Sequence, residues 1–240
     1  MTIRIAMWSG PRNLSTAMMR SFGSRPDTTV SDEPFYGAYL QQTRDPQPMA
    51  DEVIASMDCD WASVARTMAG PSPNGAPIWY QKHMAHHMVG PIAHDELPGL
   101  RHAFLIRDPD RVIASYAAKR EQVRPGHLGS AKQVEFFERE ADRLGHAPPV
   151  VDSADILRDP ATMLDRLCKA LGIPWDPAML GWAPGPRATD GIWGPHWYDA
   201  VNASSGFASP DERPIELSLD ERAVADAVRP YYEQLAAHRL

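Results

Sequence analysis

Residues 3–23 read IRIAMWSGPRNLSTAMMRSFG. A short apolar run, Ile3 to Trp8, enters a Ser-Gly-Pro turn, and from there Leu14, Met18 and Phe22 recur at helical spacing. An apolar stretch bounded by turn residues and followed by 3.6-residue periodicity predicts a strand, a tight turn and a helix over 14–23 that stops at Gly23. Such a unit aims backbone N–H groups and the positive end of a helix at one point above a sheet edge, where an anion binds readily. Gly10 lets the chain bend closely, Pro11 and Arg12 follow, and Ser15 and Thr16 place hydroxyls at the helix start. The same spacing also fits a plain turn with a Ser/Thr cap. A kinase or ATPase loop reads GxxxxGK[ST], with the lysine on the terminal phosphates and the hydroxyl on Mg²⁺. SGPRNLST lacks the second glycine and the lysine.

The same punctuation continues along the chain. TTVS (28–31) predicts a second strand, ended by Asp32-Glu33-Pro34, and a helix opens at Pro34, a residue suited to a first turn. Residues 51–69 read as helical with a break near Cys59-Asp60. IWYQKH (78–83) is a third strand and RHAFLIR (101–107) a fourth, after which Asp108-Pro109 opens a helix through Ala118. A charged amphipathic helix over 130–145, a fifth strand at 149–152, a helix over 160–172 and a last helix over 219–239 complete the pattern. Strands alternating with helices imply an α/β fold, with a mostly parallel sheet of about five strands flanked by helices. The 240 residues suit one domain, 1–240, without repeats or an internal boundary. The stretch 181–214 is irregular and rich in Trp, Gly and Pro. Its Trp182, Trp193, Trp197, Tyr198 and Phe207 argue for an ordered, functional loop.

The composition, 43% hydrophobic and 23% charged, is that of a globular protein. No apolar run approaches the roughly 20 residues of a membrane helix, and IAMW is too short for the core of a signal peptide. The expectation is a cytoplasmic protein without a membrane partner. Cys59 and Cys168 form neither a disulfide framework nor a zinc pattern. A net charge of −7 lacks the basic excess of a nucleic-acid binder. A bound polyanion would then be held by a few placed arginines and backbone amides. The composition is compatible with a homodimer.

A second anion anchor lies in FLIRDPDRVIASY (104–116). Arg107 at a strand end offers a planar, permanent charge suited to phosphate. Ser115 falls about two turns along the helix that follows, within reach of the same anion. A salt bridge for Arg107 and a small-residue helix face for Ser115 is the alternative.

With both motifs in view, the chain resembles the sulfotransferases that use 3′-phosphoadenosine 5′-phosphosulfate (PAPS). It is similar to their small bacterial-type members, including some related in name to a branched-chain aminotransferase-like group. The family's 5′-phosphosulfate loop commonly reads P-[KR]-S-G-T-T. Pro11, Arg12, Ser15 and Thr16 match it, while Asn13 and Leu14 stand where Ser-Gly is usual. Arg107 and Ser115 match the family's 3′-phosphate motif, and residues 151–175 resemble its late strand–helix segment ending in Leu-Gly-Ile-Pro. PRATDGIWGPHW (186–197) resembles its loop over the nucleotide, with Arg187 at the arginine. The resemblance implies a P-loop nucleotide-binding type of fold, PAPS as donor, PAP as product and no metal. It implies nucleotide contacts from Gly10, Pro11, Arg12, Asn13, Leu14, Ser15, Thr16, Arg107, Ser115 and Arg187. No residue pattern argues for aminotransferase chemistry.

Sulfuryl transfer asks for in-line geometry and for stabilised charge on the bridging and equatorial oxygens. The sulfuryl group carries less charge than a phosphoryl group, so a metal is dispensable. Arg12, in the place of the family's loop lysine, would neutralise the bridging oxygen. A hydroxyl or amine of a small-molecule acceptor also needs a base. Glu33 stands where some members carry a glutamate. Others carry Lys-Thr-His after the third strand; Lys82 matches that lysine, and His83 comes one residue earlier than that histidine. Glu33 as a cap beside Pro34 and Lys82 as a solvated strand end are the structural alternatives. His83, His86 and His87 lack the glutamate and the third ligand of a zinc site. Tyr36, Tyr39, Trp61, Trp79, Trp193, Trp197 and Tyr198 are candidate walls for the acceptor. The rival readings are a P-loop small-molecule kinase and a non-catalytic sulfotransferase-like module that binds a nucleotide or partner.

Overall fold

The computed structural model describes residues 2–91, 97–117, 123–211 and 213–240. Five strands form one parallel sheet in the order β2-β3-β1-β4-β5: β1 (Ile3–Ser9), β2 (Thr28–Asp32), β3 (Ile78–Met84), β4 (Leu100–Ile106) and β5 (Val150–Asp152). Successive strand residues point to opposite faces, and here both faces are covered. From β1, Ile5 and Met7 pack with α1 (Ser15–Gly23), whose Met18, Met19 and Phe22 are buried, and with Leu164 and Leu167 of α9 (Pro160–Ala170). Ala6 and Trp8 face the other layer, where Phe136 and Phe137 of α7 (Ser130–Leu144) and Leu235 of α12 (Leu219–Ala236) close the core. Burial on both faces explains why these strands read as continuous apolar runs rather than alternating ones. Each fully buried large aliphatic or aromatic side chain contributes about 1.5–3 kcal/mol.

The remaining helices are α2 (Tyr36–Thr43), α3 (Ala50–Ser56), α4 (Trp61–Ala69), α5 (Pro109–Ala117), α6 (Pro125–Leu128), α8 (Ser153–Arg158), α10 (Gly194–Trp197) and α11 (Asp199–Asn202). The break expected near Cys59-Asp60 separates α3 from α4, and Asp60 caps α4 by accepting from the Ser63 N–H at 2.7 Å. The helix expected at Pro34 begins at Tyr36 instead. Glu33 adopts a left-handed φ of 46°, and its carbonyl accepts from the Tyr36 N–H at 3.0 Å, so residues 33–35 form a turn before the helix. The helix from Pro109 is described to Ala117, and its expected end at Ala118 lies outside the described residues. The irregular stretch 181–214 holds the two single-turn helices α10 and α11. No helix among the described residues is long and apolar enough to cross a membrane.

The stretch after Gly181 is strapped down by buried polar ties rather than by regular structure. Arg20 of α1 donates to both Asp190 oxygens at 2.5 and 2.7 Å, and to Asn202 Oδ1 at 3.1 Å. The Gly191 N–H donates to Asp32 at 3.0 Å. A 3₁₀ turn at Ala85–His87 follows β3 and bends the chain back over the sheet edge.

Candidate functional site

The carboxyl ends of β1, β2, β3 and β4 meet a cleft of about 340 Å³. Open parallel sheets bind ligands at this edge, because loops and helix N-termini converge there. Arg12, Leu14, Ser15, Thr16, Glu33, Lys82, Arg107 and Ser115 all line it, with the segment 182–208 forming the opposite wall.

The turn after β1 is built as an open cradle. Leu14, preceding α1, has φ 70° and makes no side-chain cap, and Arg12 has φ 62°. Leu14 occupies the position where the resembled loop has glycine, and its backbone takes the left-handed form glycine favours. That geometry costs an L-residue about 1–2 kcal/mol. Leucine is tolerated there because its side chain packs against the α1-side core. Gly10 is required for a different reason: a Cβ there would sit 2.6 Å from the Leu128 carbonyl oxygen. Asn13 turns inward, donating to the Leu105 carbonyl at 3.4 Å, so its side chain supports the loop from beneath.

Two guanidinium groups are set into this cradle. Arg12 Nε donates to Ser115 Oγ at 2.9 Å, and Arg107 Nη1 donates to the Arg12 carbonyl at 2.7 Å. Among the described residues neither forms an ion pair. Burial lowers the pKa of both, and for Arg107 the charges of Arg111 and Arg12 add to the effect. Arginine nevertheless stays charged at any physiological pH. Two partly buried guanidiniums, unpaired ionically among the described residues, thus stand beside an uncapped helix N-terminus and concentrate positive charge there.

The other end of the cleft is built from opposite charge. Lys82, 1% exposed, uses all three ammonium hydrogens: Asp32 Oδ1 at 2.9 Å, Glu33 Oε1 at 2.6 Å and the Tyr198 hydroxyl at 2.7 Å. Tyr198 accepts also from Trp193 Nε1 at 3.0 Å and sits 2.8 Å from Asp32 Oδ2, to which it donates. Burial opposes the Lys82 charge, but Asp32 and Glu33 outweigh it and hold the pKa well above the usual value. Burial pushes the Asp32 carboxyl up, and the Lys82 charge and the Gly191 N–H work against that shift. Lys82 is thus a buried counter-charge rather than the solvated strand end its position allows. Asp32 escaped the sequence reading. Its signal is register: Asp32 lies directly opposite Lys82 in the β2–β3 pairing.

Strand parity separates the neighbouring candidates Lys82 and His83. Lys82 faces the cleft, so His83 faces the opposite layer. There His83 is 1% exposed, stacks on Trp8 with ring centroids 4.5 Å apart, and contacts Gln81 Oε1 at 3.1 Å. The structure does not bring His83 to the cleft. The residue two past Lys82, where the resembled Lys-Thr-His has histidine, is Met84, which lines the cleft. His87, carried back by the 3₁₀ turn, lines it too. Its Nε2 is 3.9 Å from Glu33 Oε2 and its ring stacks on Tyr36 at 4.5 Å. Burial, with Lys82 and His83 close by, keeps its pKa well below the usual value.

Arg187 is likewise not brought to the cleft. Its guanidinium donates to the carbonyls of Ala183, Gly185 and Pro186 and fixes its own loop. Tyr36, Trp193, Trp197 and Tyr198 line the cleft, as do Trp182 and Phe207. Trp79 is instead buried in the core, donating to Ser31 Oγ, Trp61 stacks on Phe35, and Tyr39 donates to Asp45.

The family model for the Sulfotransferase domain matches residues 3–239. The chain belongs to the sulfotransferase domain family. Two Arabidopsis thaliana proteins, branched-chain-amino-acid aminotransferase-like proteins 1 and 2, are 34% and 32% identical over 237 residues, 98% of this chain. The chain spans about two fifths of their length, 42% and 41%. A sulfotransferase from Alicyclobacillus acidocaldarius superposes with a TM-score of 0.56 at 15% identity, covering 100% of this chain and 97% of its own. The sulfotransferase domain from the curacin biosynthetic pathway gives 0.54 at 16%, covering 95% and 98%. At such identities the likeness establishes the fold: the sulfotransferase family's parallel α/β sheet with its strand-turn-helix entry.

Proposed function

We propose that this sulfotransferase-family chain moves a sulfuryl group from PAPS to a hydroxyl or amine of a small-molecule acceptor, leaving PAP. The observation that carries this reading is the pair Arg12 and Arg107, two ionically unpaired guanidiniums in one cleft against the N-terminus of α1. PAPS supplies an activated sulfuryl group and two phosphate anchors, and the residues present fit it. The turn 10–16 with Arg12 receives the phosphosulfate, and Arg107 with Ser115 receives the second phosphate. Arg12 is held by Ser115 so that its charge meets negative charge as it builds on the leaving oxygen. Glu33 lines the cleft with Oε1 held by Lys82, and Oε2, which accepts no hydrogen bond among the described residues, is the oxygen assigned to take the acceptor proton. Lys82 positions Glu33 and supplies its counter-charge. The reaction is read as needing no metal.

Calorimetry of PAP binding with and without Mg²⁺, set beside ATP with Mg²⁺, tests the reading. Metal-independent PAP binding is expected. Preference for ATP with Mg²⁺ would convert the reading to a kinase. In Arg107→Ala, PAP affinity falls about ten- to hundredfold, the value of a charge-assisted contact, and unchanged affinity would remove the second anchor. Glu33→Gln keeps PAP affinity and loses about 10²- to 10⁴-fold in turnover, and near-normal turnover would end the role given to Glu33. Met84 in the histidine position supports a second reading, a binding module without catalysis. Tight PAP binding with no transfer across a broad acceptor panel would favour it.

A further inference from the structure

We infer that the acceptor is a hydroxyl-bearing organic cation, an amino or quaternary-ammonium alcohol. This rests on the sulfotransferase reading of the same cleft. The two ends of the cleft differ in sign. Arg12 and Arg107 bring positive charge to one end, and among the described residues neither forms an ion pair. At the other, Asp32 and Glu33 face a single ammonium, Lys82.

The hydrogen bonds around Asp32 are those of a carboxylate, which accepts from every side. Every polar hydrogen around Asp32 points at it: the Lys82 ammonium at 2.9 Å, the Gly191 N–H at 3.0 Å and the Tyr198 hydroxyl at 2.8 Å. The Tyr198 hydroxyl has one proton and already accepts from Lys82 and Trp193, so that proton goes to Asp32. Glu33 Oε1 accepts from Lys82 as well. Two carboxylates against one ammonium leave one negative charge, and the uncommitted oxygen at the cleft is Glu33 Oε2. Beyond Lys82, its neighbour at ion-pair range among the described residues is His87, whose Nε2 lies 3.9 Å away. A buried, incompletely neutralised charge is costly until a counter-ion arrives.

Aromatic side chains share the cleft with Glu33. Tyr36, Trp193, Trp197 and Tyr198 all line it and pack in one cluster, with Tyr36 and Trp193 edge to face at 4.9 Å. Aromatic rings together with one carboxylate suit an alkylated ammonium, which is bulky, weakly hydrated and attracted to ring faces. An anionic acceptor would meet like charge. A neutral apolar alcohol would leave the excess charge unmatched. In the reaction the acceptor oxygen bonds to sulfur, the bond between sulfur and the bridging oxygen of the donor breaks, and the hydroxyl proton passes to Glu33 Oε2.

Choline and 3,3-dimethylbutan-1-ol share shape and hydroxyl and differ in charge. Both are titrated calorimetrically into the full chain saturated with PAP. Choline is expected to bind about tenfold or more tightly. Glu33→Gln should erase the preference. Trp197→Leu, at a half-buried position, should weaken choline while sparing the neutral alcohol, which keeps the test open if Glu33→Gln fails to fold. Equal affinity, preference for the neutral alcohol, or no binding of either to the PAP complex overturns the cationic acceptor and leaves PAP binding intact. Failure of PAP itself to bind overturns the sulfotransferase reading and this inference with it.

Discussion

His83 offers a measurement of how the strand distributes its residues. Burial, with a smaller contribution from His102, pushes its pKa down to about 3. An unfolded chain would titrate this ring near its ordinary value of about 6.5. Between those values the unfolded state holds a proton that the folded state refuses, so stability rises with pH and is lost as the pH falls. Each pH unit in that window is worth about 1.4 kcal/mol, so acidification from about pH 7.5 to about pH 5 costs about 2 kcal/mol through this residue alone. His83→Phe keeps a ring against Trp8 and Phe35 and cannot titrate. Urea denaturation followed by circular dichroism at the two pH values should show the variant losing about 2 kcal/mol less than the parent. His87 has the same sign of shift but is present in both proteins and cancels in the difference. PAP affinity and turnover should change little. An identical acid loss in both proteins would mean that folded His83 already takes a proton. A large loss of turnover at preserved stability would return the base to His83.

Tyr198→Phe deletes a hydroxyl that accepts from Lys82 and Trp193 and donates to Asp32. The orphaned buried donors should cost about 2–4 kcal/mol in urea denaturation, and a loss under about 0.5 kcal/mol would show that the network is dispensable. Gly10→Ala places a Cβ 2.6 Å from a backbone carbonyl and should cost about 1–3 kcal/mol in thermal unfolding; a neutral result would mean that the turn can relax away from Leu128.

Local pattern carried most of the scaffold. The opening unit of strand, turn and helix, the five strands and the break between α3 and α4 follow from short-range periodicity and turn chemistry, which act over a few residues. Arg12, Glu33, Lys82 and Arg107 were each legible as strand-end residues, and a parallel sheet brings all strand ends to one edge. Which face each residue takes was harder to read. His83 directly follows Lys82, yet strand parity sends the two side chains to opposite layers. Arg187 could be matched to a motif, but its guanidinium is spent on three carbonyls of its own turn.

The amino-acid sequence by itself determined a parallel α/β sheet, a strand-turn-helix entry and two arginines at its rim, because these depend on periodicity, turn residues and permanent charge. Only the tertiary structure decided the other half of the site. Tyr198 reaches Asp32 across 166 positions and Arg20 reaches Asp190 across 170. Such pairs leave no periodic trace. They arise because a buried charge must find partners wherever the packed chain presents them, and that requirement draws the segment after Gly181 over the cleft.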